Sequence, residues 1–150
     1  MTIAGDLHMS VADAWHETDQ LLAEHHLDGW HVRFNQAKRV AGSCSYPSRT
    51  ITLSRYLLAR RSWADSMNTI THEIAHALTP GHHHDRVWVA QHRELGGDGL
   101  RCHSFVDDSA PWLGVCAHGV RFVRYRAPRP GLGYRCRCRP ASPVVFERVR

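Results

Sequence analysis

The feature that most constrains this chain is a His-Glu-x-x-His pattern, which is formed by His72, Glu73 and His76. On an α-helix, residues i and i+4 lie on one face a turn apart, so both imidazoles can hold one metal ion. Glu73 is rotated by about 100° from His72 and can address a water molecule on that ion. The pattern therefore predicts His72 and His76 as zinc ligands and Glu73 as the general base on a zinc-bound water.

The residues around this pattern predict a helix with one apolar face. Ser62 and Asp65 have the spacing of a capping box, which indicates a helix start near residue 63. Pro80 and Gly81 indicate its end. Apolar residues recur on the side opposite the two histidines, at Met67, Ile70, Ile74 and Leu78. One face of the helix can therefore pack in a core while the other presents the histidines.

The rest of the chain predicts an α+β fold. Periodic apolar residues and caps indicate helices over residues 11–26, 55–61 and 85–95. Alternating segments indicate strands over residues 30–34, 40–46 and 50–54, which we expect to form a small antiparallel sheet. From about residue 112 the sequence changes to short alternating segments separated by Pro and Gly, namely residues 120–125, 134–138 and 144–149. This texture predicts a small β appendage.

A catalytic zinc ion keeps three protein ligands and one open position, so the motif needs a third ligand. The candidates are His82, His83, His84, His92 and Glu94. His82 has the spacing found in metzincins, but Thr79 stands where that pattern requires glycine. His84 lies just before a predicted helix start. The residues alone leave this choice open.

The ordered combination of motifs resembles the SprT-like zinc metalloprotease family, that of SprT and Spartan, and in particular its compact actinobacterial and phage members. The resemblance extends over roughly residues 10–138. The matching segments are Trp30–Phe34, Gly42-x-Cys44, Ile51–Ser54, His72–Leu78, Gly81–Trp88, Glu94–Gly97 and Arg101-Cys102.

The resemblance implies a zincin-like core of a helix, a small antiparallel sheet, the active-site helix and a partner helix, over residues 1–111. A zinc-ribbon-like β appendage would follow over residues 112–150. The third zinc ligand would be His84, with an aromatic residue, Trp88, four positions later. We expect His83 and His92 to be exposed or to support the site indirectly. The substrates would be proteins bound or crosslinked to DNA.

Four residues near the C-terminus suggest a second, structural zinc ion. They are Cys116, His118, Cys136 and Cys138. The Cys-x-Cys spacing is a poorer chelating turn than Cys-x-x-Cys, so Cys102 is an alternative ligand and a metal-free ribbon is another possibility. We expect Cys44 to be a small buried strand residue.

Positive charge is concentrated at the end of the chain. Residues 116–150 contain nine Arg and one acidic residue, Glu147, whereas residues 1–115 contain 10 Lys+Arg and 13 Asp+Glu. Arginines that alternate with aromatic residues predict a contact with nucleic acid, and the resemblance implies that it is DNA, either single-stranded or junction-like. The candidates are Arg121, Arg124, Arg126, Arg135 and Arg137. The alternative is a set of solvent-facing arginines on a β appendage.

No apolar run approaches the roughly 20 residues of a membrane span, and the first residues lack a secretion-signal pattern. We therefore expect a cytoplasmic protein. The resemblance further implies a nucleoid-associated protein of a bacterial cell or phage-infected host, and we expect a monomer. Two other functions remain open. One is a non-proteolytic DNA-binding module with a structural zinc ion, and the other is a metalloprotease that acts on a specific regulator without nucleic acid. Glu73 argues against the first, because a structural site has no use for it.

Overall fold

The structure is a computed structural model that describes residues 7–101, 106–107 and 109–150. The chain forms two compact units, Met1–His103 and Ser104–Arg150. Helices and strands are combined in the first unit and strands alone occur in the described part of the second, so the expectation of an α+β fold is confirmed.

The described residues of the first unit, 7–101, form four helices and three strands. The helices are α1 (Val11–Glu24), α2 (Arg55–Leu58), α3 (Trp63–Leu78) and α4 (Arg86–Glu94), and the strands are β1 (His31–Asn35), β2 (Gly42–Ser45) and β3 (Thr50–Ser54). Ser10 and Asp13 form a reciprocal capping box at the start of α1. Ser62 caps α3, because its hydroxyl accepts a hydrogen bond of 3.1 Å from the Asp65 N–H.

Helix α3 lies at the centre of the hydrophobic core. Ile70 and Ile74 are fully buried, and Met67 and Leu78 pack at the edge of the same cluster. Ile51 of β3 is also fully buried in that cluster. The apolar face of α3 therefore packs on the sheet side, which fixes the orientation of the opposite, histidine-bearing face.

The sheet of the first unit is mixed, so the expectation of an antiparallel sheet is wrong for one strand pair. Its order is β1-β3-β2, with β1 parallel and β2 antiparallel to β3. The end of β3 is bonded to the residue that precedes β2, because the Ser54 N–H donates a hydrogen bond of 2.9 Å to the Ala41 carbonyl. Consecutive strands pair more often than not, so β1 and β2 would be the default neighbours. Here β3 inserts between them.

The second unit is built from short strands. They are β4 (Trp112–Val115), β5 (Arg121–Arg124), β6 (Tyr134–Arg135), β7 (Pro143–Val144) and β8 (Phe146–Arg148). The three-stranded sheet has the order β5-β4-β8, and β6 pairs with β7. The sequence did not indicate β4, although it is the central strand. Across the part of the chain that is described, no helix has the length and apolar character of a membrane span.

Candidate metal centre

Three imidazoles converge on one point at the polar face of α3. The Nε2 atom of His84 lies 3.0 Å from Nε2 of His72 and 3.0 Å from Nε2 of His76. All three ligand atoms lie within 4.8 Å of one another. In a tetrahedral zinc site with Zn–N distances of about 2.0–2.1 Å, ligand nitrogens are about 3.3 Å apart. The three histidines therefore fit a zinc ion.

The turn between α3 and α4 brings His84 to this point. Helix α3 ends at Leu78, and Gly81 follows with a φ of 82°. His84 itself has a φ of 57°, in the left-handed region that few side chains adopt. Asp85 then caps α4 by accepting a hydrogen bond of 3.1 Å from the Trp88 N–H. The chain therefore reverses direction within a few residues. This reversal brings His84, just before α4, back to the histidine-bearing face of α3.

Trp88 packs behind the three histidines. Its side chain is fully buried. The ring centroids of His72, His76 and His84 lie 4.6, 5.3 and 4.6 Å from the indole. Its Nε1–H points at the His72 carbonyl at 3.4 Å. A large rigid ring in contact with all three imidazoles restricts their rotamers, so the indole orients the ligand set.

The surroundings keep these histidines neutral. Burial, and then the neighbouring His76 and His84, lower the pKa of His72 to about 3. Burial and then His84 lower the pKa of His76 to about 4. Burial also lowers the pKa of His84, with a contribution from the charge of Arg101. Neutral imidazoles offer the lone pairs that a metal ion requires.

Glu73 lies beside the histidines and is buried. It lines a cleft of about 300 Å³ together with all three of them. Burial raises the pKa of its carboxyl to about 7. Gly42 of strand β2 allows this close approach, because a Cβ atom there would lie 3.1 Å from the Glu73 Cγ and 3.0 Å from the Thr69 Cγ2. A carboxyl with a pKa near neutrality is suited to proton transfer.

The remaining ligand candidates lie outside the converging group. Nδ1 of His82 is 2.6 Å from Asp85 Oδ2, and the His82 side chain is 40% exposed. His83 is exposed at the rim of the cleft, and Glu94 is exposed at the end of α4. Among the described residues, only His84 joins the two motif histidines in a candidate metal group.

His92 is fully buried, so of the two roles expected for it the structure agrees with indirect support of the site and not with exposure. Its ring lies 4.9 Å from that of Trp88. Because Nδ1 accepts a hydrogen bond of 3.1 Å from Gly99 N–H, Nε2 carries the proton and donates to the Asn68 carbonyl at 3.2 Å. A Cβ atom at Gly97 would lie 1.9 Å from that Nε2, so this position requires glycine.

Tyr46 is a contributor that the motif pattern does not indicate. It lines the metal cleft, and its hydroxyl donates to the backbone carbonyl of His76. Its ring meets that of Trp30 edge-on at 6.0 Å. The hydrogen bond from Tyr46 to His76 links the last turn of α3 to the turn between β2 and β3. Only its position two residues after Cys44, directly after the strand that borders Glu73, could have suggested it.

A second candidate metal group lies in the C-terminal unit and consists of Cys116, His118, Cys136 and Cys138. Nδ1 of His118 is 3.7 Å from Sγ of Cys116 and 3.7 Å from Sγ of Cys136. With Zn–S near 2.3 Å and Zn–N near 2.0–2.1 Å, tetrahedral S and N ligands lie about 3.6 Å apart. These four residues are therefore compatible with zinc. Cys102, the alternative ligand, lies outside the described residues.

The backbone supports one thiolate of this group. Ser142 N–H donates to the Cys136 Sγ at 3.1 Å. The hydrogen bonds from the Ser142 side chain and backbone lower the pKa of Cys136 to about 6. A thiol that ionises readily is a better metal ligand, because the thiolate is the binding form.

The five candidate arginines differ in their surroundings. Arg121, Arg126, Arg135 and Arg137 are exposed. Arg124 is partly buried, and its guanidinium lies 4.7 Å from the ring centroid of Tyr134 and 5.7 Å from that of Phe146.

The aromatic residues that alternate with these arginines have partners within the unit. Phe122 and Tyr134 pack against the cluster of Cys116 and Cys136. The Tyr125 hydroxyl donates to Asp107 at 2.9 Å. These rings stabilise the unit, so a role in nucleic-acid binding would depend mainly on the charge of the arginines.

Comparison with known families gives one match. Residues 11–106 match the family model described as the SprT-like family. The match includes all four helices and the three converging histidines. No curated protein matches the chain.

We predict that His84→Ala lowers bound zinc by about one equivalent, because two imidazoles hold the ion much less tightly than three. His82→Ala is the matched control and should keep the wild-type zinc content, since His82 bonds to Asp85 outside the group. Zinc is measured by elemental analysis after dialysis against a weak chelator. The reverse result, with zinc lost in His82→Ala and kept in His84→Ala, would show that His82 is the ligand.

For the C-terminal group, we predict that Cys136→Ser removes about one further equivalent of zinc. The control is Glu147→Gln, which alters an exposed residue of β8 in the same unit and outside both candidate groups. An unchanged zinc content in Cys136→Ser would mean that this ribbon holds no metal.

Proposed function

The chain belongs to the SprT-like family, and on that premise we propose that it is a zinc-dependent endopeptidase. Membership of this family indicates a metalloprotease-like function. The observation that carries the finer proposal is the convergence of His72, His76 and His84 beside Glu73 in one cleft.

Each residue of the cleft has a separate role in the proposal. Zinc held by the three imidazoles would supply Lewis acidity, which polarises a carbonyl group and makes water more acidic. The Glu73 carboxylate accepts a proton from the water that attacks the peptide carbonyl. It then gives this proton to the amine that leaves when the peptide bond breaks. Because the carboxylate is buried, water stabilises its charged form less, and its pKa is raised to about 7. A pKa near neutrality suits both the acceptance and the release of the proton.

Strand β2 offers a place for an extended peptide. It is the edge of the β1-β3-β2 sheet, and its Gly42 and Cys44 line the metal cleft. An edge strand has backbone donors and acceptors that can pair with another chain. A peptide paired along β2 would pass beside Glu73. Such pairing recognises the main chain of the peptide, which suits an enzyme that cuts within a chain.

Two alternatives are less well supported. A structural zinc site closes its fourth position with a protein ligand. In the described part of the chain, three residues form the histidine group, and a purely structural site would not need Glu73. A protease for a single regulator, acting without nucleic acid, would not need the excess of arginine in the second unit.

We further propose that the substrates are proteins bound or crosslinked to DNA. The exposed Arg121, Arg126, Arg135 and Arg137 support this proposal, since guanidinium groups bind phosphate well. Because the neighbouring rings pack inside the unit, the contact would be with the phosphate backbone and would carry little sequence preference.

We predict that Glu73→Gln keeps its zinc and loses peptide cleavage, with kcat/KM at least about a hundredfold lower, because the proton acceptor is gone. Glu94→Gln changes an exposed glutamate on α4 and should match the wild type. Cleavage of an unstructured protein substrate and zinc content are measured on the same samples. Wild-type cleavage by Glu73→Gln would refute the proposed chemistry.

Binding to single-stranded DNA tests the second proposal. We predict that affinity falls as salt rises, and that Arg126→Gln/Arg137→Gln reduces the slope of log K against log salt by about 1.4, or about 0.7 for each lost phosphate contact. Arg33→Gln, on the exposed side of β1, is the control. Equal slopes for all three proteins would exclude these arginines from the contact.

A further inference from the structure

A second cleft adjoins the metal centre and shares Gly42, His72 and Glu73 with it. Its volume is about 400 Å³, within the usual range of ligand pockets of roughly 300–1,000 Å³. Its remaining walls come from the β1–β2 connection, from α3 and from the segment after α4. We call it the arginine cleft, because Arg39 and Arg101 line it from two different segments.

The segment that carries Arg101 is held against α3 by hydrogen bonds. The Asn68 side chain donates to Asp98 Oδ2 at 3.2 Å and accepts from the Asp98 N–H at 3.0 Å. Oδ1 of Asp98 accepts from the Leu100 N–H at 2.8 Å. The buried His92 binds Gly99 N–H. The backbone up to Leu100 is therefore held beside α3, and Arg101 follows it directly in the lining of the cleft.

The lining combines positive charge with apolar surface. Among the described residues that line it, Arg39 and Arg101 are the cations, and Glu73, at the boundary with the candidate metal centre, is the one carboxylate. Val40 and Leu100, each next to one of the arginines in sequence, are 55% and 60% exposed. A side chain with a short aliphatic stem and a terminal carboxylate matches this combination, because its stem can contact the apolar walls while its carboxylate meets a guanidinium.

We propose that the arginine cleft is the subsite for one side chain next to the scissile bond, and that it selects glutamate or aspartate there. This inference rests on the proposed peptidase function. The cleft borders Glu73 directly, so a side chain within it belongs to a residue adjacent to the reacting bond. Lysine or arginine at that position would meet two like charges and be disfavoured.

The test uses the zinc-loaded, full-length protein and a set of fluorogenic peptides. At each position around the scissile bond, the peptides carry glutamate, glutamine or lysine. We expect one position at which kcat/KM for glutamate exceeds that for glutamine by roughly fivefold or more, a ratio typical of one charge-assisted contact. The Arg39→Gln and Arg101→Gln variants should bring this ratio toward one. Arg101→Glu should reverse the preference in favour of lysine.

Arg33→Gln is the matched control, since Arg33 is an exposed arginine of β1 that lines neither cleft, and it should keep the wild-type ratio. A wild-type ratio near one, with peptides still cleaved, would overturn the subsite and leave the peptidase proposal intact. The subsite would also be overturned if both arginine variants kept the ratio and instead lost affinity for single-stranded DNA. Cleavage of none of the peptides would overturn the peptidase function and the subsite with it.

Discussion

The packing of Trp88 against the histidines is the contact on which the metal centre depends. Two of the candidate ligands are a turn apart on α3, and the third comes from the turn that leads into α4. The buried indole touches all three imidazoles and also the ring of His92. It therefore couples the orientation of the ligands to the packing of α4 on α3. A zinc ion requires neutral, oriented imidazoles, and the packing of α4 on α3 provides this arrangement.

Glu73 lies between this candidate metal centre and the arginine cleft. Its carboxyl lies at the boundary of two clefts, one lined by the histidines and one by Arg39 and Arg101. Gly42 leaves space for it against the edge strand β2. A peptide along that edge would present its backbone to Glu73 and a side chain to the arginine cleft. Strand β2 would thus bind the backbone of the peptide, and the adjacent arginine cleft would select the charge of one of its side chains.

The parts that the sequence predicted are those set by local patterns. The course of α3 follows from its cap, its apolar spacing and Pro80, all of which lie within a few turns. The family resemblance, now confirmed, indicated His84 as the ligand that the structure brings to the motif. The insertion of β3 between its neighbours, strand β4 and the burial of His92 were not predicted. These depend on which distant segments meet, as in the close fit of Gly97 to the His92 ring, and local periodicity carries no such information.

The most direct test is a crystal structure of the zinc-loaded protein with anomalous data on both sides of the zinc edge. We expect an anomalous peak about 2.0–2.1 Å from the Nε2 atoms of His72, His76 and His84. We also expect its fourth position to be free of protein ligands and to face the cleft that Glu73 lines. A peak bound by His82 in place of His84, a fourth protein ligand, or no peak at the three histidines would contradict this account.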